Sequence, residues 1–124
     1  LEVGVDTVLA AGMPALRSKS IALTDRFIAR VDALCEGLKL LSPRDAERRG
    51  SQVCYAHPQA YAVTQALIER GVIGDFREPD VLRFGFAPLY LRHIDVEMAA
   101  TTLADVLSSG VWRAERYRLR AAVT

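Results

Sequence analysis

Asp80-Val81-Leu82-Arg83-Phe84-Gly85-Phe86 carries the clearest strand pattern of this chain. Large apolar side chains stand at every second position, and smaller or charged residues stand between them. A two-residue period is typical of a strand that has one face in the core and the other face available. The predicted core residues are Leu82, Phe84 and Phe86. Arg83 and Gly85 are then predicted to lie together on the opposite face.

A second strand is predicted earlier in the chain, over residues 51–56, after a polar, turn-rich loop over residues 42–50. Residues 72–76 form a short apolar segment, and Arg77-Glu78-Pro79 is a turn that leads into the strand over residues 80–86. Strands joined in this way favour antiparallel pairing.

A long amphipathic helix is predicted over residues 14–41. It begins at Pro14, which suits the first position of a helix, and ends at Ser42-Pro43. The apolar or small residues of its stripe are Leu16, Ser20, Leu23, Phe27, Val31, Leu34, Leu38 and Leu41. Its length of roughly 40 Å exceeds what a small core needs, so we expect it to brace two domains or to continue an upstream helical connection.

Two further helices are predicted. One starts at His57-Pro58, presents Tyr61, Thr64, Leu67 and Ile68 on one face, and stops at Gly71. The other has Asp95 as its N-cap and ends at Gly110. Its predicted buried stripe is Val96, Ala99, Ala100, Leu103 and Leu107.

The order of these elements predicts an α/β fold of the α+β type. A small, mainly antiparallel sheet has helices on one face and is preceded by the long N-terminal helix. We expect one domain over residues 1–124, made of a helical segment (1–43) and an α/β sandwich (44–124). The chain starts at Leu1 without an initiator Met, inside a helix-like pattern, which we interpret as a fragment boundary.

Composition excludes several classes of function. The chain has 16 basic and 15 acidic residues and a formal net charge of +1, so no global field favours nucleic acid or an anionic membrane surface. Four arginines in the tail (113, 116, 118 and 120) are compatible with a basic nucleic-acid tail, but the balanced charge favours an edge strand or extended finish with solvated or salt-bridged arginines. Two cysteines and the absence of a signal sequence favour a cytoplasmic protein.

The common catalytic motifs are missing from the sequence. It has no G-x-S-x-G elbow, no phosphate-cradling glycine loop and no H-E-x-x-H. Cys54-x-x-His57 could suggest zinc, but only Cys35 and His93 remain to complete four ligands, so we predict no metal site. The only lysines, Lys19 and Lys39, are both predicted within the long helix as solvated charges. We assign no catalytic or cofactor-binding residue.

Arg83 is the residue that stands out. An arginine in mid-strand among apolar neighbours must either pair or face a wet cleft, because an unpaired buried charge is costly. Its planar fork suits a carboxylate, and Gly85 on the same face would let a ligand or another backbone come close. The residues alone leave two possibilities open: a salt bridge to Asp75 or Asp80, or a ligand site.

Four segments of the chain resemble the C-terminal part of kynureninases, in the same order and at similar spacing. They are Lys19-Ser20-Ile21-Ala22-Leu23-Thr24-Asp25-Arg26-Phe27-Ile28, Arg49-Gly50-Ser51-Gln52-Val53, Arg70-Gly71-Val72-Ile73-Gly74-Asp75-Phe76-Arg77 and Leu82-Arg83-Phe84-Gly85-Phe86-Ala87-Pro88-Leu89-Tyr90. Together they span most of the chain. Related enzymes share single pieces, but four in register are specific to this family.

The resemblance implies the small C-terminal domain of an aspartate-aminotransferase-like (fold type I, aminotransferase class V-like) enzyme that uses pyridoxal phosphate (PLP). Such enzymes are homodimers with a large cofactor domain. Kynureninases hydrolyse L-kynurenine to anthranilate and L-alanine in tryptophan catabolism. The arginine matched by Arg83 binds the substrate α-carboxylate and so orients the amino acid on the cofactor. The Schiff-base lysine and phosphate-binding residues would lie in the large domain, absent here.

The resemblance also implies that the chain is inactive by itself, and that Arg49-Gly50-Ser51 is structural, with Gly50 allowing a tight turn. Two alternatives remain open. One is the small domain of a related class V desulfurase or lyase, which would need a cysteine loop that neither Cys35 nor Cys54 suggests. The other is a free-standing small-molecule or protein binding module that uses the face of Arg83 and Gly85. The choice between kynurenine and 3-hydroxykynurenine also stays open.

Overall fold

The computed structural model describes residues 12–45, 48–72, 74–86 and 91–118. The helices are α1 (Met13–Leu34), α2 (Ala60–Glu69), α3 (His93–Ser109) and the short α4 (Glu115–Arg118), with a 3-10 turn at Val111–Arg113 before α4. The strands are β1 (Lys39–Leu40), β2 (Gln52–Ala56), β3 (Asp75–Arg77) and β4 (Val81–Gly85). Predictions for Leu1, for Ala87–Tyr90 in the last matching segment and for Arg120 lie outside the described residues.

The four strands form one antiparallel sheet in the order β1-β2-β4-β3. Strand β4 is therefore flanked on both sides, with Arg83 directly opposite Cys54 of β2 and Asp75 of β3. The predicted α+β fold with a small antiparallel sheet is confirmed. Strand β1 was not predicted.

One face of the sheet holds the core. Leu82, Phe84 and Phe86 are 1%, 4% and 6% exposed, as their alternation predicts, and they lie beside the buried Val53 and Tyr55 of β2. The helices α1, α2 and α3 contribute most of the other buried side chains of the same cluster, and α4 contributes Tyr117. The opposite face of the described sheet carries half-buried and exposed residues, so the helices cover one face, as expected.

Helix α1 is anchored in this core through Phe27. Its ring lies 4.9 Å from that of Phe84, 5.1 Å from that of Phe86 and 6.3 Å from that of Tyr55, measured between centroids. The rings are tilted or edge-on, which is the favourable arrangement for aromatic pairs. Helix α1 is therefore part of the domain's own core.

Helices α1 and α3 are also tied by charge. Glu97 of α3 pairs with Arg26 and with Arg30 of α1, the second at 2.8 Å between Arg30 Nε and Glu97 Oε2. Desolvation by itself would raise the pKa of Glu97, but the hydrogen bonds and charges of the two arginines lower it overall.

The predicted end of the first helix is wrong. Helix α1 stops at Leu34, Cys35 adopts an extended conformation, and Gly37 has φ +83. An α-helix cannot continue through a left-handed residue, so the chain turns and Lys39–Leu40 pairs with Tyr55 and Ala56 as an edge strand. Leu38 and Leu41, which extended the predicted helix, flank strand β1 instead. Leu41 is 45% exposed.

Three smaller predictions are also corrected. Arg92 is the N-cap of α3, and Asp95 stands at N3, where its Oδ2 accepts a hydrogen bond from the Arg92 backbone N–H at 2.8 Å. Ile68 of α2 is 45% exposed and does not share the buried face of Thr64 and Leu67. The described part of the tail, residues 111–118, forms a 3-10 turn and a helical turn instead of an extended strand.

The predicted end of α3, three residues of its predicted buried stripe and the pairing of one tail arginine are confirmed. In α3, Val96, Ala100 and Leu103 are buried and Gly110 ends the helix in the left-handed conformation. Arg116 of the tail is salt-bridged to Glu69 at 3.2 Å. In the described part of the chain, no helix combines the length and the apolar character needed to span a membrane.

Candidate functional site

Arg83 lies on the open face of the central strand β4. Its neighbours in sequence, Leu82 and Phe84, point into the core, so the alternation of the strand directs Arg83 to the opposite side. Its side chain is 27% exposed. The guanidinium is therefore at the surface of the sheet and is not sealed inside.

Asp75 is the partner of Arg83. Asp75 stands directly across from it on β3, and Arg83 Nη2 donates a hydrogen bond to Asp75 Oδ2. The sequence left Asp75 and Asp80 as possible salt-bridge partners of Arg83, and in the structure the partner is Asp75. The Asp80 backbone oxygen accepts a hydrogen bond from the His57 N–H at 3.0 Å.

A second arginine shares the same carboxylate. Arg77 follows Asp75 by two residues on β3, and its Nη2 lies 3.3 Å from Asp75 Oδ2. Two guanidinium groups therefore face one carboxylate, which leaves an excess of positive charge. Because Asp75 is 48% exposed, water and other anions can reach this group.

We refer to Asp75, Arg77 and Arg83 together as the arginine cluster. Arg77 was assigned only to a turn in the sequence analysis. The signal that could have found it is the spacing Asp75-x-Arg77, since residues two apart on a strand lie on one face.

Gly85 lies on the same face as Arg83, two residues further along β4 and opposite Gln52. It is exposed, and no described atom lies within 4 Å of the position that a Cβ would occupy. The predicted room for a ligand or another backbone is therefore present at Gly85 among the described residues.

A cleft of about 520 Å³ begins at Gly85 and continues between the end of α2 and the first turns of α3. Its walls are mainly apolar, with Phe84, Leu91 and Met98 among them, and Arg70 and Asp95 supply charge. Arg83 does not line this cleft. Gly85 is the point at which the cleft and the face of Arg83 meet.

Arg49 organises a separate, buried cluster that joins two of the matching segments. Its side chain is 1% exposed, and its Nε and Nη2 donate to Thr24 Oγ1 at 3.1 and 2.9 Å. It also pairs with Asp25 and donates to the backbone oxygens of Pro43 and Arg44 at 3.2 and 3.1 Å. These bonds fix α1 to the loop before β2, so Arg49 has the structural role that was expected.

The two serines of these segments meet as well. The hydroxyl oxygens of Ser20 and Ser51 are 2.8 Å apart. Gly50, between Arg49 and Ser51, is not among the glycines with positive φ, and a Cβ there would meet nothing within 4 Å. The expected need for glycine in a tight turn at Gly50 is therefore wrong.

The chain has two lysines, Lys19 and Lys39. Lys19 is half-buried on α1, while Lys39 is exposed on β1 and not in a helix as predicted. Neither lines the cleft. The lining of the cleft therefore does not fit PLP, which needs a lysine for its Schiff base.

The two cysteines are free thiols in different elements. Cys54 is in β2, as predicted, directly beside Arg83 on the open face. Cys35 is the C-cap of α1 and not inside a helix, and burial raises its pKa to about 11. Among the described residues no group of three or more histidine, cysteine or acidic side chains could hold a metal ion.

His57 lies at the junction between β2 and α2. Its Nδ1 accepts a hydrogen bond from the Gln59 backbone N–H at 2.9 Å, and its ring packs edge-on against Trp112. Desolvation lowers its pKa. His57 therefore lies in the turn before α2, which begins at Ala60, three residues after its predicted start.

Comparison with known proteins identifies the family. Residues 16–103 match the model of the "Kynureninase C-terminal domain". All of the chain aligns with kynureninases of Burkholderia mallei (strain SAVP1) and Burkholderia pseudomallei (strain K96243) at 53% identity, and with that of Pseudomonas fluorescens at 45%. The chain spans about 30% of the length of these relatives. The chain therefore belongs to the kynureninase C-terminal domain family.

Proposed function

We propose that this chain is the C-terminal small domain of a PLP-dependent hydrolase that cleaves L-kynurenine to anthranilate and L-alanine, and that Arg83 binds the substrate α-carboxylate. The observation on which the proposal depends is the position of Arg83. It is a partly exposed arginine on the open face of the central strand, in a cluster with excess positive charge. The named relatives, aligned over the whole chain, supply the reaction.

Binding of a carboxylate at Arg83 is compatible with its ion pair to Asp75. A guanidinium has five N–H donors in a fixed fork, and Asp75 accepts from Nη2. A surface ion pair contributes little net free energy, so an incoming carboxylate can share the fork. By holding the carboxylate in a planar, two-point contact, Arg83 would fix the orientation of the amino acid.

The proposal places PLP, its Schiff-base lysine and the second subunit of a homodimer outside this chain. It is supported by the positions of Lys19 and Lys39 and by the small share of the relatives' length that the chain spans. The chain alone should therefore form no anthranilate. We also propose a cytoplasmic location, in keeping with two free cysteines.

A desulfurase of the related class V group is the other enzyme that the fold could serve, but Cys35 argues against it. Such a reaction needs a thiolate nucleophile, and the pKa of about 11 keeps Cys35 protonated near neutral pH. A free-standing binding module is disfavoured by the alignment of the whole chain with part of the longer kynureninases.

The test is Arg83→Ala in the complete enzyme. Charge-assisted hydrogen bonds are worth about 1.5–3 kcal/mol, so KM for L-kynurenine should rise roughly tenfold to a hundredfold. The change should also lower kcat through poorer alignment and leave the PLP content unchanged. Steady-state anthranilate fluorescence measures both constants.

Arg44→Ala is the matched control, because Arg44 is also a surface arginine paired with an aspartate, Asp32, at 2.9 Å. It should leave both constants unchanged. An unchanged KM in Arg83→Ala would contradict the assignment of Arg83.

A further inference from the structure

Asp75 binds one nitrogen of the Arg83 guanidinium, Nη2, and leaves the other N–H donors of that group for a ligand. Asp75 approaches from the neighbouring strand β3 and takes Nη2. The remaining donors of the fork are not bound by Asp75, and the side chain is 27% exposed. One edge of the guanidinium is thus fixed within the sheet, and the rest can face a ligand.

We propose that Asp75 is a positioning residue, which holds the Arg83 guanidinium in the orientation that receives the substrate carboxylate. This inference rests on the proposed function of Arg83. An arginine side chain has several rotatable bonds, and ordering them on binding lowers affinity. A hydrogen bond from Nη2 to a carboxylate fixed on the adjacent strand orders the side chain before the substrate arrives.

Arg77 makes this arrangement compatible with binding an anion. If Asp75 faced Arg83 alone, the pair would be neutral and a second carboxylate would be repelled by the first. Arg77 Nη2 lies 3.3 Å from the same Asp75 oxygen, so the arginine cluster keeps one net positive charge. A substrate carboxylate would bring the cluster to neutrality.

Stability of the fold is a poor alternative explanation for the pair. Asp75 is 48% exposed and Arg77 57%, and exposed ion pairs contribute little to stability. Strand β3 is held independently by its backbone pairing to β4 and by the Phe76 ring against Tyr61, at 5.4 Å between centroids.

The experiment is a double-mutant cycle in the complete enzyme with Asp75→Asn, Arg83→Ala and the double variant. Asparagine keeps the size of the side chain and removes its charge. Asp75→Asn should raise KM for L-kynurenine by about three- to tenfold, within the range of couplings between contacting residues. In the Arg83→Ala background the same substitution should change KM by less than about twofold, because it acts through Arg83.

Two further variants separate positioning from a structural effect. Asp75→Glu keeps the carboxylate and should recover part of the lost affinity. Asp32→Asn removes the carboxylate of another surface pair, that with Arg44, and should leave KM unchanged. The midpoint of thermal unfolding should be the same in Asp75→Asn and Asp32→Asn.

The outcomes distinguish the two proposals. If Arg83→Ala leaves KM unchanged, the proposed role of Arg83 is wrong and the role of Asp75 falls with it. If Arg83→Ala raises KM but Asp75→Asn has no effect, or the same effect in both backgrounds, only the positioning role is wrong. A lower KM in Asp75→Asn would also overturn it, because Asp75 would then compete with the substrate.

Discussion

Arg49 and Arg83 both pair with an aspartate, but their surroundings give them different roles. The Arg49 side chain is 1% exposed and its donors are taken by Thr24, Asp25 and two backbone oxygens, so it can bind no ligand. The Arg83 side chain is 27% exposed, and the structure gives it one acidic partner. Burial and the number of acceptors therefore separate a structural arginine from a candidate binding arginine.

The sequence predicted on which face of the strand Arg83 lies, because the two-residue alternation of a strand can be recognised within a few residues. It also named Asp75 as one of two possible partners. It could not choose between Asp75 and Asp80, since the choice depends on the β3–β4 register, which places Asp75 directly opposite Arg83. The acceptors of Arg49 come from helix α1 and from the preceding loop, up to 25 residues away in sequence, and no local pattern encodes them.

At Cys35, reactivity should depend on pH in a way that reports its burial. Burial disfavours the thiolate and raises the pKa of Cys35 from an ordinary thiol value of 9.0 to about 11. Alkylation by iodoacetamide needs the thiolate, so at about pH 8 the folded chain should react about a hundredfold more slowly than the urea-unfolded chain. The rate should rise about tenfold per pH unit and level off near 11.

This measurement needs Cys54→Ser, which leaves Cys35 as the chain's one thiol. Mass spectrometry follows the alkylated fraction with time. A folded-state rate that levels off near pH 9 would show that Cys35 is solvated and would contradict the prediction.

Among the elements, the end of α1 is where sequence reasoning failed. The apolar period continues through Leu34, Leu38 and Leu41, so a three-to-four spacing was counted across a true boundary. The helix has already ended at Leu34, because Cys35 is extended, and Gly37 with φ +83 prevents a helix from continuing through residues 35–37. A two-residue strand such as β1 is below the length at which a period can be recognised, and it exists because β2 offers a free edge.

Replacing Gly37 with alanine should therefore destabilise the chain by about 1 kcal/mol, since alanine is strained at positive φ. Gly50→Ala is the matched control. Gly50 does not have positive φ and has open space at its Cβ position, so the change should stay within about 0.5 kcal/mol. Urea unfolding of each variant gives the free energies, and equal midpoints for the two variants would exclude a conformational requirement at Gly37.

For the whole molecule, the packing of α1 decides how the chain unfolds. The predicted length of the first helix suggested that it braces two domains or continues an upstream helical connection. In the structure, Phe27 of α1 contacts the rings of Tyr55, Phe84 and Phe86 on the core face of the sheet. The core cluster includes residues from α1, the sheet, α2, α3 and α4. A shared core makes the unfolding of one element costly for the others, so we expect the described elements to unfold as one cooperative unit.

Phe27→Ala tests this cooperativity. Deleting a fully buried phenylalanine ring costs about 3–5 kcal/mol, a large part of the stability of a small domain. Trp112, the only tryptophan, lies in the 3-10 turn against His57, so its fluorescence reports on the sheet–tail junction, while far-ultraviolet circular dichroism is dominated by the helices. Both signals should shift to lower urea by the same amount. Leu34→Ala, on the exposed end of the same helix at 41% exposure, should shift neither by much. If Phe27→Ala moved the dichroism transition and left the Trp112 transition in place, α1 would unfold separately from the rest of the core, and the expected cooperativity would be wrong.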